Sequence, residues 1–308
     1  MIMNLGLPYK GSKNTIAIDI VKALPRGKKL LDACCGGGAI LMAAAMSGRW
    51  EKVVGNDLNA ATIALLDAVL IHKGQIEYEH PPVCTRDDFF HSLQRIENDD
   101  FDIQDCVNKY CASFGNDGKT YLYGADLEKV KTTAEQMLCA ETLEQRRENY
   151  RKFIGFLLGD SSDERILRLQ NLQQLNQLER LQRLERLERL ERLDIFDIDY
   201  SEFDVVYFDI PYKDTNKYDF EFDYDGFYAM FANIDCPAFL SEYDAPFNTI
   251  ATFDKAQNMA ASVGSSGKRE GLEKLYFNGT MDDYKRLMGA EYRPIDEGKQ
   301  LDIFEGVA

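Results

Sequence analysis

The tetrapeptide Asp209-Ile210-Pro211-Tyr212 has the residue types needed to methylate a planar amine. Such an amine is a poor nucleophile, because its lone pair is delocalised into the attached ring. A carboxylate at Asp209 and the backbone carbonyl of Ile210 could each accept one N–H, which favours the pyramidal nitrogen that attacks a methyl group. The ring of Tyr212 offers a flat face for stacking, and Pro211 stiffens the turn. These four residues are our candidate catalytic residues.

A second group of residues has the spacing of a nucleoside-binding site. Asp32 and Cys34 precede a glycine run, Gly36 to Gly38, and glycines let the backbone approach a ligand at a helix N-terminus. Asp57 lies twenty-one residues after Gly36, where an acid can accept hydrogen bonds from both ribose hydroxyls. A tight structural turn is the alternative for the glycines alone. The pattern does not separate NAD from S-adenosylmethionine, but the tetrapeptide favours S-adenosylmethionine.

Alternating strands and helices are expected to position both groups. Short apolar runs predict strands, and longer runs of helix formers predict helices. The predicted strands are residues 29–34, 53–59, 203–208, 238–242 and 273–277, and the predicted helices are residues 16–24, 38–47 and 60–72. We therefore expect an α/β fold with a Rossmann-like parallel sheet and helices on both faces. Such sheets bind ligands at the carboxyl ends of their strands.

The domain organisation is predicted to be discontinuous. From about residue 76 the sequence becomes charged, aromatic and mainly helical, and strand character returns near residue 203. We predict a catalytic domain in residues 1–75 and 194–308, and an inserted recognition domain in residues 76–168. Residues 169–193 are predicted to be a helical connector.

The predicted connector is a leucine repeat with a period of three residues. Nine leucines recur from Leu169 to Leu193, and the later units read Leu-Glu-Arg. An α-helix turns about 100° per residue, so this period moves leucines around every side of a helix. We favour a connector whose length varies through copying errors in repetitive coding DNA. A dimerisation helix is the alternative, and we expect a monomer.

Composition excludes some classes of protein. The chain has 308 residues, 45% of them hydrophobic, which suffices for a large α/β core. Its seven cysteines show neither a disulfide framework nor zinc-ligand spacing, and no apolar run is long enough to cross a membrane. We expect a cytoplasmic protein without a signal peptide. The net charge of −16 argues against a protein that coats DNA non-specifically, although a local basic cleft is compatible with it.

These motifs together resemble the DNA adenine-N6 methyltransferases of the class that includes GATC-modifying enzymes, and phage-borne members above all. Residues 8–13 resemble the family's N-terminal cofactor motif, and residues 32–38 its glycine loop. Asp57 is similar to the ribose-binding acid, and Asp199-Tyr200 to the pair that reads the cofactor's adenine. The tetrapeptide is similar to Asp-Pro-Pro-Tyr. Residues 113–121 are similar to a hairpin that the family places near DNA.

The resemblance implies S-adenosylmethionine as methyl donor, S-adenosylhomocysteine as product, no metal, and a flipped adenine in double-stranded DNA as the target. The implied cofactor-binding residues are Tyr9, Lys13, Asp32, Cys34, Gly36, Gly38, Asp57, Leu58, Asp199, Tyr200 and Asp209. The DNA-binding candidates, taken from the resemblance and from basic or polar residue types, are Lys10, Ser113, Asn116, Lys119, Tyr121, Arg146, Arg147, Lys268 and Arg269. A bacterial or phage source is expected.

Two departures from the family pattern bear on activity. Ile210 stands in place of the first proline, a position that works through its backbone carbonyl. Cys34 and Cys35 stand where bulkier residues are usual. The alternatives are an N-methyltransferase acting on RNA or on a protein glutamine, or a catalytically inactive DNA-binding or scaffold protein. The target sequence and any restriction partner stay open.

Overall fold

The computed structural model describes residues 5–157, 167–181, 184–212, 222–254 and 272–292. These residues contain seven strands of one sheet and ten α-helices. The strands are β1 (Lys29–Asp32), β2 (Lys52–Asn56), β3 (Leu187–Glu191), β4 (Val205–Phe208), β5 (Ala238–Glu242), β6 (Asn248–Asp254) and β7 (Leu272–Phe277). The helices are α1 (Ala17–Ala23), α2 (Ala39–Ser47), α3 (Ala60–Leu70), α4 (Arg86–Glu97), α5 (Ile103–Cys111), α6 (Ala125–Leu138), α7 (Leu143–Leu157), α8 (Leu167–Glu179), α9 (Tyr224–Asn233) and α10 (Met281–Met288).

The described residues divide into two compact units. The sheet unit comprises those within Lys13–Cys35, Ile40–Leu58 and Glu185–Ala308. The helical unit comprises those within Met1–Ser12, Gly36–Ala39 and Asn59–Leu184. The described residues of 76–168 fall within the helical unit, together with α3 and the whole of α8. That these residues form an inserted recognition domain stays a prediction.

The sheet has the strand order β3-β2-β1-β4-β5-β7-β6. Strands β3, β2, β1, β4 and β5 run parallel, whereas β7 is antiparallel to both of its neighbours. The parallel part has the order of a doubly wound nucleotide-binding sheet, in which the chain turns back at β1. The predicted α/β class is confirmed, and the arrangement is consistent with a methyltransferase fold.

Aromatic side chains fill the core on the two faces of the sheet. Phe208 in β4 contacts Phe227 of α9, with ring centroids 5.3 Å apart. Phe239 in β5 and Phe277 in β7 contact Tyr284 of α10, at 6.3 and 6.0 Å. Phe208 pairs in register with the residue after Phe239, so these two rings point to opposite faces. Helices therefore cover both faces, as the sequence predicts.

The leucine repeat is not helical throughout, so that prediction was wrong for its second half. The first half lies in α8, which is an α-helix, but Leu187–Glu191 form the edge strand β3, parallel to β2. Leucine, glutamate and arginine favour helices in isolation, but pairing with a neighbouring strand can override local propensity. Leu190 packs against Gly55 of β2, where a Cβ would lie 2.8 Å from its Cδ2 atom.

Side-chain caps define the helical unit. Thr85 and Asp102 begin α4 and α5 with complete capping boxes, in which the third helical residue returns a hydrogen bond.

A buried ion pair lies deeper in the helical unit. Arg168 is fully buried and pairs with Glu135 at 3.2 Å, and Glu135 accepts a hydrogen bond from the Tyr123 hydroxyl at 2.5 Å. Among the described helices, none is long and apolar enough to cross a membrane.

Candidate active site

Three aspartates follow three neighbouring parallel strands at the edge where these strands end. Asp32 is the last residue of β1, Asp57 comes directly after β2, and Asp209 comes directly after β4. Because β1 lies between β2 and β4, the three carboxylates share one edge of the sheet. The chain leaves β1 toward β2 on one side and β4 lies on the other, which is where doubly wound sheets bind ligands.

Asp32 is a buried acid with no cation in direct contact among the described residues. Its side chain is 1% exposed, and neither carboxylate oxygen has a hydrogen bond of normal geometry to another described residue. Burial raises the pKa of Asp32 well above its ordinary value, and the charges of Asp209 and Asp57 raise it further. Lys13 and the backbone N–H of Leu41 oppose this shift only in part. Such a carboxylate is suited to accept hydrogen bonds from a positively charged group of a ligand.

Asp57 lies half-buried at the end of β2, and its backbone N–H donates to the carbonyl of Glu191 at 3.2 Å. The next residue, Leu58, is 59% exposed. An acid that can accept from ribose hydroxyls therefore stands beside an apolar side chain that a nucleoside base could cover. The two residues are predicted cofactor contacts, and their surroundings are compatible with that role.

Lys13 and Asp209 form a direct ion pair. The Lys13 ammonium lies 2.7 and 2.8 Å from the two carboxylate oxygens of Asp209. Lys13 is 4% exposed, whereas the Asp209 side chain is 23% exposed. Although burial by itself lowers the pKa of Lys13, the charges of Asp209 and of Glu273 raise it above the ordinary value. Lys13 is therefore a cation, and the Asp209 carboxylate keeps a solvent-accessible side.

The remaining residues of the tetrapeptide each contact a different part of the sheet unit. Ile210 is buried in the core of the sheet unit, and the Pro211 carbonyl accepts a hydrogen bond from the Tyr224 hydroxyl at 2.9 Å. Tyr212 is half-buried, and its ring packs edge-on against Tyr243 at a centroid distance of 4.6 Å. Burial raises the pKa of Tyr212, and the charge of Asp209 raises it further, so its hydroxyl stays protonated.

Glu273 is a site residue that the sequence reasoning missed. Glu273 is the second residue of β7, and its fully buried carboxylate lies 3.2 Å from the Lys13 ammonium. The same oxygen accepts a hydrogen bond from the Tyr212 hydroxyl at 2.5 Å. The sequence signal that could have found it is a glutamate at an inward-facing position of an otherwise apolar strand. Because a glutamate is rarely buried unless it is paired, this position predicts a partner nearby. That signal does not say which cation is the partner.

The glycine turn lies in the helical unit, where each glycine is required by a close approach. The backbone N–H of Leu7 donates to the Gly37 carbonyl at 2.7 Å, and a Cβ on Gly37 would lie 2.6 Å from the Cβ of Tyr9. Gly36 and Gly38 have φ values of +47° and +79°. Tyr9 therefore packs on the glycine turn, while its contact with a cofactor stays a prediction.

Three further predicted cofactor residues lie in the sheet unit. Cys34 and Tyr200 both pack against the core cluster around Phe208, and the Tyr200 hydroxyl donates to the Ile195 carbonyl at 2.5 Å. Asp199 is exposed, and its carboxylate accepts from the backbone N–H and the hydroxyl of Ser201. Burial, followed by the charges of Asp57 and Asp32, raises the pKa of Cys34, which therefore remains a neutral thiol.

Comparison with known protein families shows which family this chain belongs to. The sequence profile described as D12 class N6 adenine-specific DNA methyltransferase matches residues 9–248, well over half of the chain. The chain belongs to this family. The resemblance drawn from the motifs is confirmed, and DNA adenine methylation is the activity of the family. The matched range includes Lys13, Asp32, Asp57 and Asp209, whereas Glu273 lies beyond it. Comparison with individual curated proteins gave no match.

The D12 class methyltransferase has a compact loop at residues 113–121, where a hairpin was expected. A single antiparallel bridge joins Ser113 to Tyr121, and a 3₁₀ turn spans Phe114–Asn116. Ser113 is 0% exposed and its hydroxyl accepts from the Gly118 N–H, while Tyr121 is 4% exposed and donates to the Cys84 carbonyl. Ser113 therefore packs within the loop and Tyr121 packs against Cys84 outside it, and a contact of either side chain with DNA stays a prediction.

Other DNA-binding candidates of the methyltransferase are accessible. The backbone N–H of Lys10 donates to the Asn116 carbonyl at 3.1 Å, which brings the exposed Lys10 beside the loop that carries the exposed Lys119. Arg146 and Arg147 are exposed in α7. Their contact with DNA stays a prediction. The last two candidates, Lys268 and Arg269, lie outside the described residues.

In the part of the chain that the structure describes, no three or more histidine, cysteine, aspartate or glutamate side chains lie together so that they could hold a metal ion.

Proposed function

We propose that this D12 class methyltransferase transfers a methyl group from S-adenosylmethionine to N6 of an adenine flipped out of double-stranded DNA, at a specific sequence. The observation that carries the proposal is the position of Asp209. Its half-open carboxylate stands at the carboxyl end of β4, beside the buried Asp32 and next to the Tyr212 ring.

The residues near Asp209 suit an amine acceptor. The Asp209 carboxylate would accept one N6–H and the Ile210 carbonyl the other, which localises the nitrogen lone pair for attack. The Tyr212 ring would stack on the extruded base, and its hydroxyl is already anchored on Glu273. Rate enhancement would then come from alignment and from stabilisation of positive charge that develops on the nitrogen.

The acids at the ends of β1 and β2 fit S-adenosylmethionine. This molecule carries an ammonium group, two ribose hydroxyls and an adenine, and it supplies an electrophilic methyl group. Asp32 could accept from the ammonium, which would give its buried oxygens a charged donor. Asp57 could accept from the ribose, and Leu58 could cover the adenine. Tyr9, Gly36, Gly38, Cys34, Asp199 and Tyr200 remain cofactor contacts implied by the family resemblance.

DNA binding is assigned to basic residues of the helical unit. Lys10, Lys119, Arg146 and Arg147 are exposed, and an exposed cation can neutralise a backbone phosphate. Asn116 is half-exposed, and an asparagine can pair with an adenine edge. With a net charge of −16 on the chain, specific binding would depend on such a local basic surface.

The decisive experiment compares Asp209→Ala with the wild-type protein in a labelled-methyl assay. Duplex DNA, RNA and a glutamine-containing peptide are offered in parallel. We expect transfer to adenine in duplex DNA, its loss in Asp209→Ala, and a much smaller effect of that change on S-adenosylmethionine binding, measured by calorimetry. Asp244→Ala is the control, since that aspartate lies in the same unit with a 96% exposed side chain.

The other outcomes separate the alternatives. Transfer to RNA or to the peptide instead of DNA would assign a different planar amine. A wild-type protein that binds DNA and methylates none of the three would point to an inactive scaffold. Methylation-aware sequencing of DNA from cells that express the chain would then report the modified base and its sequence context.

A further inference from the structure

A buried charged cluster extends the site beyond the tetrapeptide. The Lys13 ammonium lies between two carboxylates, 2.7 Å from Asp209 and 3.2 Å from Glu273. The same oxygen of Glu273 accepts the Tyr212 hydroxyl at 2.5 Å, and the Lys13 ammonium lies 4.6 Å from the centroid of the Tyr212 ring. Lys13 and Glu273 are 4% and 0% exposed, so solvent does not screen these contacts.

Glu273 changes what Lys13 can do to Asp209. Paired with Asp209 alone, a buried ammonium would neutralise the carboxylate that has to accept an N–H from the target amine. Shared with a second carboxylate, the ammonium orients Asp209 but leaves it part of its negative charge. The effect is strong in this place, because charges interact more strongly where water is excluded.

Glu273 also sets the orientation of the aromatic ring. A tyrosine side chain rotates about two bonds, and a hydrogen bond from its hydroxyl fixes the ring plane. Tyr243 contacts the same ring edge-on at 4.6 Å, so Tyr212 is fixed both at its hydroxyl and at its ring. A fixed ring presents one face for stacking.

We propose that Glu273 is a positioning residue for methyl transfer, which shares the Lys13 ammonium with Asp209 and fixes the Tyr212 ring. This inference rests on the proposed function, in which Asp209 and Tyr212 hold the target amine. A purely structural role explains the cluster less well, because replacing a buried ion pair by apolar residues is often neutral or stabilising.

The test is Glu273→Gln, which keeps the size of the side chain and an oxygen acceptor for Tyr212 but removes the charge. We expect the single-turnover rate of methyl transfer to fall roughly 10- to 100-fold, the usual range when the support of a reacting group is lost. The KM for DNA and the Kd for S-adenosylmethionine should change by no more than about twofold. A merely structural residue would not separate these quantities.

Glu135→Gln is a matched control. Glu135 is also fully buried, also accepts a tyrosine hydroxyl at 2.5 Å and also pairs with a buried cation, Arg168, but it lies in the helical unit. Both variants should lower the melting temperature, and only Glu273→Gln should slow the transfer step per folded molecule. Equal slowing in both variants would overturn the proposal.

A double-mutant cycle tests whether Glu273 acts through Lys13. In a Lys13→Met background, Glu273→Gln should change the transfer rate by no more than about twofold, because the ammonium to be shared is gone. Independent losses that add would contradict the mechanism. If Glu273→Gln does not fold, Tyr212→Phe removes the hydroxyl contact alone, and a rate equal to wild type in that variant would overturn the orienting role.

A failure of the proposed function and a failure of the proposed role of Glu273 give different results. Wild-type protein that transfers no methyl group to duplex DNA contradicts the proposed function itself. Active wild-type protein with an equally active, folded Glu273→Gln variant leaves the proposed function standing and contradicts only the role of Glu273.

Discussion

Asn56 and Leu193 exchange two hydrogen bonds. The Leu193 N–H donates to the Asn56 side-chain oxygen at 2.8 Å, and the Asn56 amide donates to the Leu193 carbonyl at 3.1 Å. The same amide donates to the Ala33 carbonyl at 3.0 Å, and Asn56 is 0% exposed. One buried side chain therefore fastens the end of the leucine repeat to the residues that neighbour Asp32 and Asp57.

Asn56→Ala should loosen this edge of the sheet. The variant leaves buried backbone groups of Leu193 and Ala33 without partners, so we expect the free energy of unfolding to fall by roughly 2–3 kcal/mol. S-adenosylmethionine binding should weaken as well, because Asp57 follows directly. Denaturant titration and calorimetry measure the two effects. Asn233→Ala is the control, since Asn233 is exposed and its amide donates to the Ala229 carbonyl within α9. An equal loss in both variants would contradict the prediction.

Asp32→Asn should stabilise the ligand-free protein and abolish cofactor binding. The folded state raises the pKa of Asp32, so the folded protein binds more protons than the unfolded chain above the ordinary value of 3.8. Its stability therefore falls as the pH rises from 3.8 through the raised pKa, and Asn removes that loss. At pH 8 we therefore expect Asp32→Asn to have a higher melting temperature than the wild-type protein.

The gain from Asp32→Asn should shrink toward pH 4, where the wild-type carboxyl is protonated in the folded state. Melting curves between pH 4 and pH 8 test the predicted gain in stability. A calorimetric titration with S-adenosylmethionine tests the predicted loss of cofactor binding. A stability gain that does not depend on pH would refute the electrostatic explanation.

Gly6→Ala should be far more costly than Gly74→Ala. Both glycines have left-handed backbones, with φ values of +82° and +88°, which cost an alanine about 1–2 kcal/mol. At Gly74 a Cβ meets nothing within 4 Å, whereas at Gly6 it would lie 2.4 Å from the Gly37 carbonyl oxygen. Backbone cannot rotate away as a side chain can. Denaturant unfolding of the pair measures the difference, and similar losses would show that the contact with the glycine turn is not tight.

Tyr212→Ala should slow methylation more than Tyr212→Phe. Loss of base stacking on an aromatic ring costs about 1–3 kcal/mol, or roughly 5- to 150-fold in rate. The phenylalanine variant keeps the ring and loses only the bond to Glu273. A fluorescent adenine analogue at the target position reports on extrusion of the base. Equal rates in the two variants would indicate that the ring does not stack on the target.

The protein should be a monomer in solution. Leu172, Leu175 and Leu178 are at most 4% exposed within the helical unit, so the chain itself covers these leucines of the repeat. Light scattering should give 35.2 kDa at all concentrations. A measured mass twice as large, which falls to that of a monomer when a Leu-Glu-Arg unit is deleted, would support the dimerisation alternative.

The sequence predicts the parallel strands well because each is a short apolar run with a turn after it. β5 has the predicted bounds, and β1 and β2 end two and three residues before the predicted ends at Cys34 and Asn59. Propensity failed for β3, where the pairing partner decides the conformation. The burial of Ser113 and Tyr121 was likewise not visible in the sequence, because it depends on contacts that form only in the folded helical unit.

The site was predictable where function depends on one local motif. The aspartates at 32, 57 and 209 each follow a strand, so their shared edge follows from the order of the sheet. Glu273 depends instead on contact with Lys13, at the other end of the chain. A single sequence contains no pattern that joins residues so far apart, and only the folded sheet brings them together.

The period of three has a consequence for how β3 chooses its alignment with β2. Sliding the repeat by one unit along β2 places another leucine, glutamate and arginine at the same positions, so the side chains alone barely distinguish one alignment from the next. The alignment is fixed by Asn56, a residue outside the repeat. Its side chain hydrogen-bonds the backbone of Leu193, the last residue before the non-repetitive sequence. A single buried amide thus fixes the register of a strand whose repeated side chains would fit several registers almost equally well.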